Sequence, residues 1–202
     1  KAGGVPPPRR ILITGESLQT ISVGSGDVKM QYTRVENCGQ IGTVGKYCLH
    51  MHLKGPCPSC VYRGNAVVHG SQRGIVVHGT HHSTVEQNVV YDVKGAYIYI
   101  EDGNEMGNLI KENVLICPYP GGGCSQGGTD NSIADGSGQT GLWSIASNND
   151  FVGNRIANMI EGFFLGGQNS PLGKAGGAAY NKVCAMHTPF GRFERNVNHN
   201  NR

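Results

Sequence analysis

An all-β fold is predicted, a solenoid of short parallel strands, and two recurring phrases with one shared period predict it. The first phrase is Gly45-Lys46-Tyr47-Cys48-Leu49-His50-Met51-His52-Leu53, followed by Gly74-Ile75-Val76-Val77-His78-Gly79 and Gly95-Ala96-Tyr97-Ile98-Tyr99-Ile100-Glu101-Asp102-Gly103, with a fainter copy at Gly162-Phe163-Phe164-Leu165-Gly166. In it, Leu49/Met51, Ile75/Val77 and Ile98/Ile100 hold equivalent places, each pair followed by a polar residue: His52, then His78 after 26 positions, then Glu101 after 23. The second marker is Asn37, Asn65, Asn88 and Asn113, spaced 28, 23 and 25 apart. A fixed period of this length is the mark of a repeat architecture.

The composition agrees. Only 15% of the 202 residues are charged and 32 are glycine, which disfavours a helical bundle. The net charge of +3, carried by scattered Lys and Arg, gives no polyanion groove, so nucleic acid is not an expected partner. No apolar run reaches the roughly 20 residues of a membrane helix, so no span is expected in this segment. The chain opens on Lys1 without a secretory apolar region, which predicts a processed product or an excerpt of a longer protein.

Taken in order, residues 1–27 predict a Pro/Gly lead-in with the first short strands, at Ile11–Thr14 and Gln19–Val23. The solenoid is expected over 28–202 and opens on the alternating run Val28–Val35. Each turn of about 23–28 residues then has a first strand leading to an Asn, a short apolar step, a polar turn ending in Gly, and a second strand. Stacked turns would bury Leu49, Ile75 and Ile98 above one another, which a single turn cannot do. Asn at one corner would form an amide ladder and tolerate left-handed geometry. Gly before the second strand would admit a bend that a Cβ obstructs. Inserted loops are expected at about 117–139 and 168–177, with strands resuming near Gly141–Ile145 and Asn149–Asn154 and again in the tail from Arg192 to Val197.

Seven cysteines predict an oxidising compartment and, being odd in number, at least one thiol that is free or pairs outside the segment. Cys117 with Cys124 is the preferred bridge and Cys57 with Cys60 the second; a redox CxxC or half a zinc site is the alternative for the latter pair.

The ordered phrases resemble the β-helix region of fibrocystin-like proteins and of the related secreted and transmembrane hyaluronan-degrading proteins of animals. Those carry a Gly-Arg-Tyr-Pro-hydrophobic-His-hydrophobic-His phrase, a His-Gly phrase one turn later and a Glu-Asp-Gly phrase after that. Lys46 and Cys48 stand here where the phrase has Arg and Pro. The resemblance is strongest over about 28–116. It implies a right-handed parallel β-helix in a large extracellular or cell-surface protein of the secretory pathway, with other domains of the same chain as neighbours. It also implies either a carbohydrate-binding or structural, adhesive role, or polysaccharide degradation.

If Leu49/Met51, Ile75/Val77 and Ile98/Ile100 point inward, alternation sends His50, His52, Val76, His78, Tyr99 and Glu101 outward. His52, His78 and Glu101 then form a solvent-reachable column, with Asp102 at its lower end. Two imidazoles and a carboxylate suit a divalent metal ion, the one cofactor expected. The same trio are the candidate catalytic groups, since a His beside a carboxylate can move a proton. A polar face turned to water is the structural alternative. For a polysaccharide or glycoprotein glycan, the binding set is His50, His52, His78, Tyr99, Glu101, Asp102 and Lys46, with Tyr97, Tyr99 and Trp143 able to stack on sugars or to pack under the inserted loop. Glu101 and Asp102, as strand neighbours, are expected to diverge. Glu105 is expected to cap the turn after Gly103, and His81-His82 to form a solvated corner.

Overall fold

The computed structural model describes residues 11–118, 140–167 and 184–201. Every turn of the coil contributes three strands. Turn one holds β1 (Ile11–Leu18), β2 (Thr20–Val23) and β3 (Lys29–Gln31); turn two holds β4 (Thr33–Cys38), β5 (Leu49–Pro56) and β6 (Val61–Arg63). Next come β7 (Ala66–Gly70), β8 (Ile75–His81) and β9 (Thr84–Glu86), then β10 (Val89–Val93), β11 (Ile98–Ile100) and β12 (Leu109–Lys111). After these lie β13 (Val114–Ile116), β14 (Thr140–Ser144) and β15 (Asp150–Val152), then β16 (Arg155–Ala157), β17 (Glu161–Leu165) and β18 (Phe193–Glu194), and β19 (Val197–His199) starts a further turn. Each strand pairs in parallel with the strand three places on, making one seven-stranded and two six-stranded sheets. The molecule is a right-handed parallel β-helix. No helix among the described residues is long and apolar enough to cross a membrane.

β1 and β2, expected to precede the solenoid, belong to it: Ile13 pairs with Val35 and Ile21 with His50. Among the described residues the coil therefore already includes Ile11–Val23, ahead of Val28, because the short strands present the apolar positions that the next turn covers. The loops expected at about 117–139 and 168–177 lie outside the described residues, apart from Cys117 and Pro118.

The core is the inward row of every sheet. Leu49, Ile75, Ile98 and Leu142 stack in the second sheet, as do Met51, Val77 and Ile100, all fully buried. Val35, Val67, Val90, Leu115 and Ile156 do the same in the first sheet. Tyr97 is also a core residue, with its hydroxyl 3.3 Å from the Val93 N–H, so it is not a sugar platform.

The corner between the third and first sheets carries the amide ladder. Asn65, Asn88, Asn113 and Asn154 each donate from backbone N–H and side-chain Nδ2 to the Oδ1 of the next Asn, at 2.9–3.1 Å, ending on Asn196. The second Nδ2 proton goes to a carbonyl in the third-sheet strand one turn back, Tyr62 for Asn88 and Val85 for Asn113. Asn37 is not on this ladder; it sits near the far end of β4, bonding Thr14, and Thr33 takes the first rung, donating its N–H to Asn65 Oδ1. Nor do the ladder Asn residues themselves adopt left-handed geometry: the residue before each does, at Gly64, Gln87, Glu112, Gly153 and Arg195. That residue turns the corner between the two sheets, and the Asn after it faces inward to the ladder. A second ladder, Ser83–Asn108–Asn149, serves the corner between the second and third sheets.

Gly74, before β8, is required for space rather than for dihedral freedom, whereas Gly45, before β5, has open space and is needed for its positive φ of 86°. A Cβ on Gly74 would stand 2.6 Å from the Tyr97 carbonyl oxygen and 2.9 Å from Val90 Cγ1. Backbone cannot yield as a side-chain tip can, so Gly74→Ala is expected to cost about 2–3 kcal/mol in urea unfolding. Gly15→Ala, whose nearest new neighbour is at 3.9 Å, is the control and should be near neutral.

Disulfides close Cys38 to Cys48 and Cys57 to Cys60. Cys117 is disulfide-bonded, and Cys124, its expected partner, lies outside the described residues. The Cys38–Cys48 bridge ties β4 to the start of β5 across the turn before the histidines. It escaped the sequence because its ten-residue separation is longer than the tight local spacings of Cys57–Cys60 and Cys117–Cys124.

Candidate functional site

Two outward columns run down the second sheet. The parallel register aligns His50, Val76, Tyr99, Trp143 and Phe164 in one, and His52 beside His78 in the other. Glu101 continues the second column, its N–H donating to Val77 O. Outward does not mean open, however. His50, Tyr99 and Asp102 are buried, while His52, His78 and Glu101 are half-buried.

The cover comes from residues whose role the sequence did not suggest. Tyr47, Val76, Ala96 and Tyr99 form a small apolar cluster outside the sheet, with Trp143 against it. Buried Arg73 lies over it, its guanidinium carbon 3.9 Å from the Tyr99 ring centre and 5.0 Å from that of Tyr47, and it hydrogen-bonds the Tyr47 hydroxyl. A guanidinium sheltered between two aromatic faces is held by its quadrupole attraction as well as by the bond. Tyr99 is thus occupied by Arg73 on one side. Below it, Trp143 and Phe164 stack at 3.9 Å and remain partly exposed. Lys46, expected in the binding set, lies in the turn before β5, where its carbonyl accepts the Gln40 N–H.

The three histidines are in contact. His50 Nε2 is 3.3 Å from His52 Nδ1, which is 3.0 Å from His78 Nδ1. His50 Nδ1 faces the Gly45 carbonyl at 3.2 Å, and His78 Nε2 faces Asp102 Oδ2 at 3.0 Å. Glu101 Oε2 lies 3.7 Å from His78 Nδ1. Glu101 and Asp102 therefore do not diverge: the strand ends at Ile100, and the chain bends so that both carboxylates meet His78. That bend is held by Glu105. Buried, it accepts the N–H groups of Asp102 and Gly103 in its own turn and of Gly79 in the turn before, each at 2.9 Å.

Burial, helped by the neighbouring His52 and His78, pushes His50 down to about 3. Burial and His78 also lower His52. For His78, burial works downward, but the hydrogen bond to Asp102 and the charge of Glu101 outweigh it and raise the ring. Burial pushes Glu105 up to about 7 against the backbone N–H groups that favour its charged form. His81, expected at a solvated corner, is buried with Nδ1 3.3 Å from the Met106 N–H; His82 is the exposed one. Glu105 caps its own turn as expected, whereas its reach to Gly79 and the Asp102–His78 contact were beyond sequence reasoning, since they depend on how the chain turns after Ile100.

Fold and site define a class of protein: a parallel β-helix module whose second sheet carries an outward histidine–carboxylate column. The model of the CEMIP beta-helix family matches residues 19–202, and the chain belongs to that family. It is 30% identical over 174 residues to human Fibrocystin-L and 29% identical over 173 to the mouse protein, covering 85% of this chain and 4% of each of those. Communication mutant protein F of Dictyostelium discoideum is 26% identical over 208 residues, covering 95% of this chain and 18% of that protein. The chain thus corresponds to a small part of much longer relatives.

Proposed function

We propose that this β-helix is a carbohydrate-binding module of a large extracellular or cell-surface protein, with the glycan lying along the second sheet. The observation that carries this is the outer face itself. A stacked, partly exposed pair, Trp143 and Phe164, continues the column that runs past half-buried His52, His78 and Glu101. Aromatic faces beside hydrogen-bonding groups are what a sugar ring requires, one apolar side and one polar edge. Three disulfide-bonded segments support an oxidising compartment.

A glycan array with the intact chain, with and without divalent cations, tests the reading. Trp143→Ala and the double variant His52→Ala/His78→Ala should each weaken the best hit at least tenfold, about 1.4 kcal/mol. Unchanged affinity in both, with melting curves like the parent's, would leave a structural or adhesive spacer. One geometric feature favours polysaccharide cleavage as the second reading: Asp102 holds His78 by Nε2, as an orienting carboxylate holds a general base. Under that reading the chain shortens hyaluronan, and His78→Ala abolishes the shortening while binding persists.

A further inference from the structure

We infer that His50, His52 and His78 form a transition-metal site, with the Glu101 carboxylate beside His78. Hydrogen-bond bookkeeping leads there. The Gly45 carbonyl can only accept, so His50 carries its proton on Nδ1 and turns a lone pair outward from Nε2. The Asp102 carboxylate likewise fixes the proton of neutral His78 on Nε2 and leaves a lone pair on Nδ1. Both lone pairs point at the same atom, His52 Nδ1, at 3.3 and 3.0 Å. One nitrogen has at most one proton, so at most one of the two contacts is a full hydrogen bond.

A cation resolves the conflict, since all three nitrogens become ligands. Their separations are suitable. Zinc–nitrogen bonds of about 2.0–2.1 Å put two ligands of a tetrahedron about 3.3 Å apart. One ring nitrogen from each histidine lies within 4.8 Å of the others, and Glu101 Oε2 is 3.7 Å from His78 Nδ1. The far nitrogens of His50 and His78 are already engaged by a carbonyl and a carboxylate, the outer-shell pattern that orients metal-binding imidazoles. Imidazole donors select zinc, copper or nickel over calcium and magnesium, which take oxygen. Asp102 is here a positioning residue, and the site stands independently of any glycan.

Zinc titration of the metal-stripped chain by calorimetry, with cobalt(II) absorption as the geometric readout, tests this. One zinc per chain should bind, and cobalt should give the intense visible bands of a tetrahedral centre. His52→Ala should weaken zinc at least roughly 100-fold and abolish those bands, while Asp102→Asn should weaken it roughly 10–100-fold with the bands retained. His69→Ala, a surface histidine paired with Asp92, is the control and should bind as the parent does. His50 is buried, so its alanine variant risks unfolding; His52 is half-exposed, and its variant decides the matter, with circular dichroism confirming the fold. No stoichiometric zinc uptake by the parent, or parent-like uptake by folded His52→Ala, overturns the site.

Discussion

Asn88→Ala is expected to destabilise the fold by about 3–5 kcal/mol in equilibrium urea unfolding, whereas Asn37→Ala should cost only about 1 kcal/mol, the strain of alanine at the left-handed φ of 54° that Asn37 holds. The difference follows from what each amide satisfies. Asn88 is fully buried in mid-ladder. Its Oδ1 accepts both the backbone N–H and the Nδ2 of Asn65, and its Nδ2 supplies Tyr62 O and Asn113 Oδ1. Truncation strands two donors and a carbonyl where water cannot reach, each costing about 1–3 kcal/mol. Asn37 is exposed at the surface of β4, with only a 3.4 Å contact to Thr14. Asn196, at the partly exposed end of the ladder, should fall between them. Equal costs at positions 37 and 88 would mean that the ladder is incidental to stability.

That contrast also marks how far the sequence could be read. The period, the inward rows and the outward placement of His52, His78 and Glu101 were legible, because alternation in a parallel strand needs only the identities of successive residues. Asn37 matched the spacing of the other asparagines and still belongs elsewhere, since spacing does not say whether a residue precedes or follows a corner. The left-handed residue before each Asn sets the corner, and no single residue type marks it: Gly64 and Gly153, but also Gln87, Glu112 and Arg195. The site was half legible for a similar reason. Strand register brings His52 against His78, but Arg73 covers Tyr99 from a turn, and Asp102 reaches His78 only because the chain bends after Ile100. Exposure and turn geometry depend on contacts between turns, which no local pattern records.

The bend after Ile100 rests on Glu105, and Glu105→Ala is expected to cost at least about 4 kcal/mol of stability. Three backbone N–H groups, of Gly79, Asp102 and Gly103, converge on this one carboxyl, and all belong to buried residues. Alanine removes every acceptor at once, and three stranded donors at about 1–3 kcal/mol each exceed what relief of the buried carboxyl returns. Glu105→Gln separates the hydrogen bonds from the charge. Its one amide oxygen can keep the Gly79 and Asp102 donors, which share Oε1 at present, while its NH₂ turns toward the Gly103 N–H. The glutamine variant should therefore lose only about 1–2 kcal/mol. The two donors it keeps follow His78 and Glu101 directly in the chain, so it should also preserve the side-chain arrangement around His78. Alanine should loosen that arrangement, and the His78 ring resonances should broaden in NMR spectra taken below the melting transition. A Glu105→Ala protein as stable as the parent, with sharp His78 signals, would mean that the turn is held by something other than Glu105.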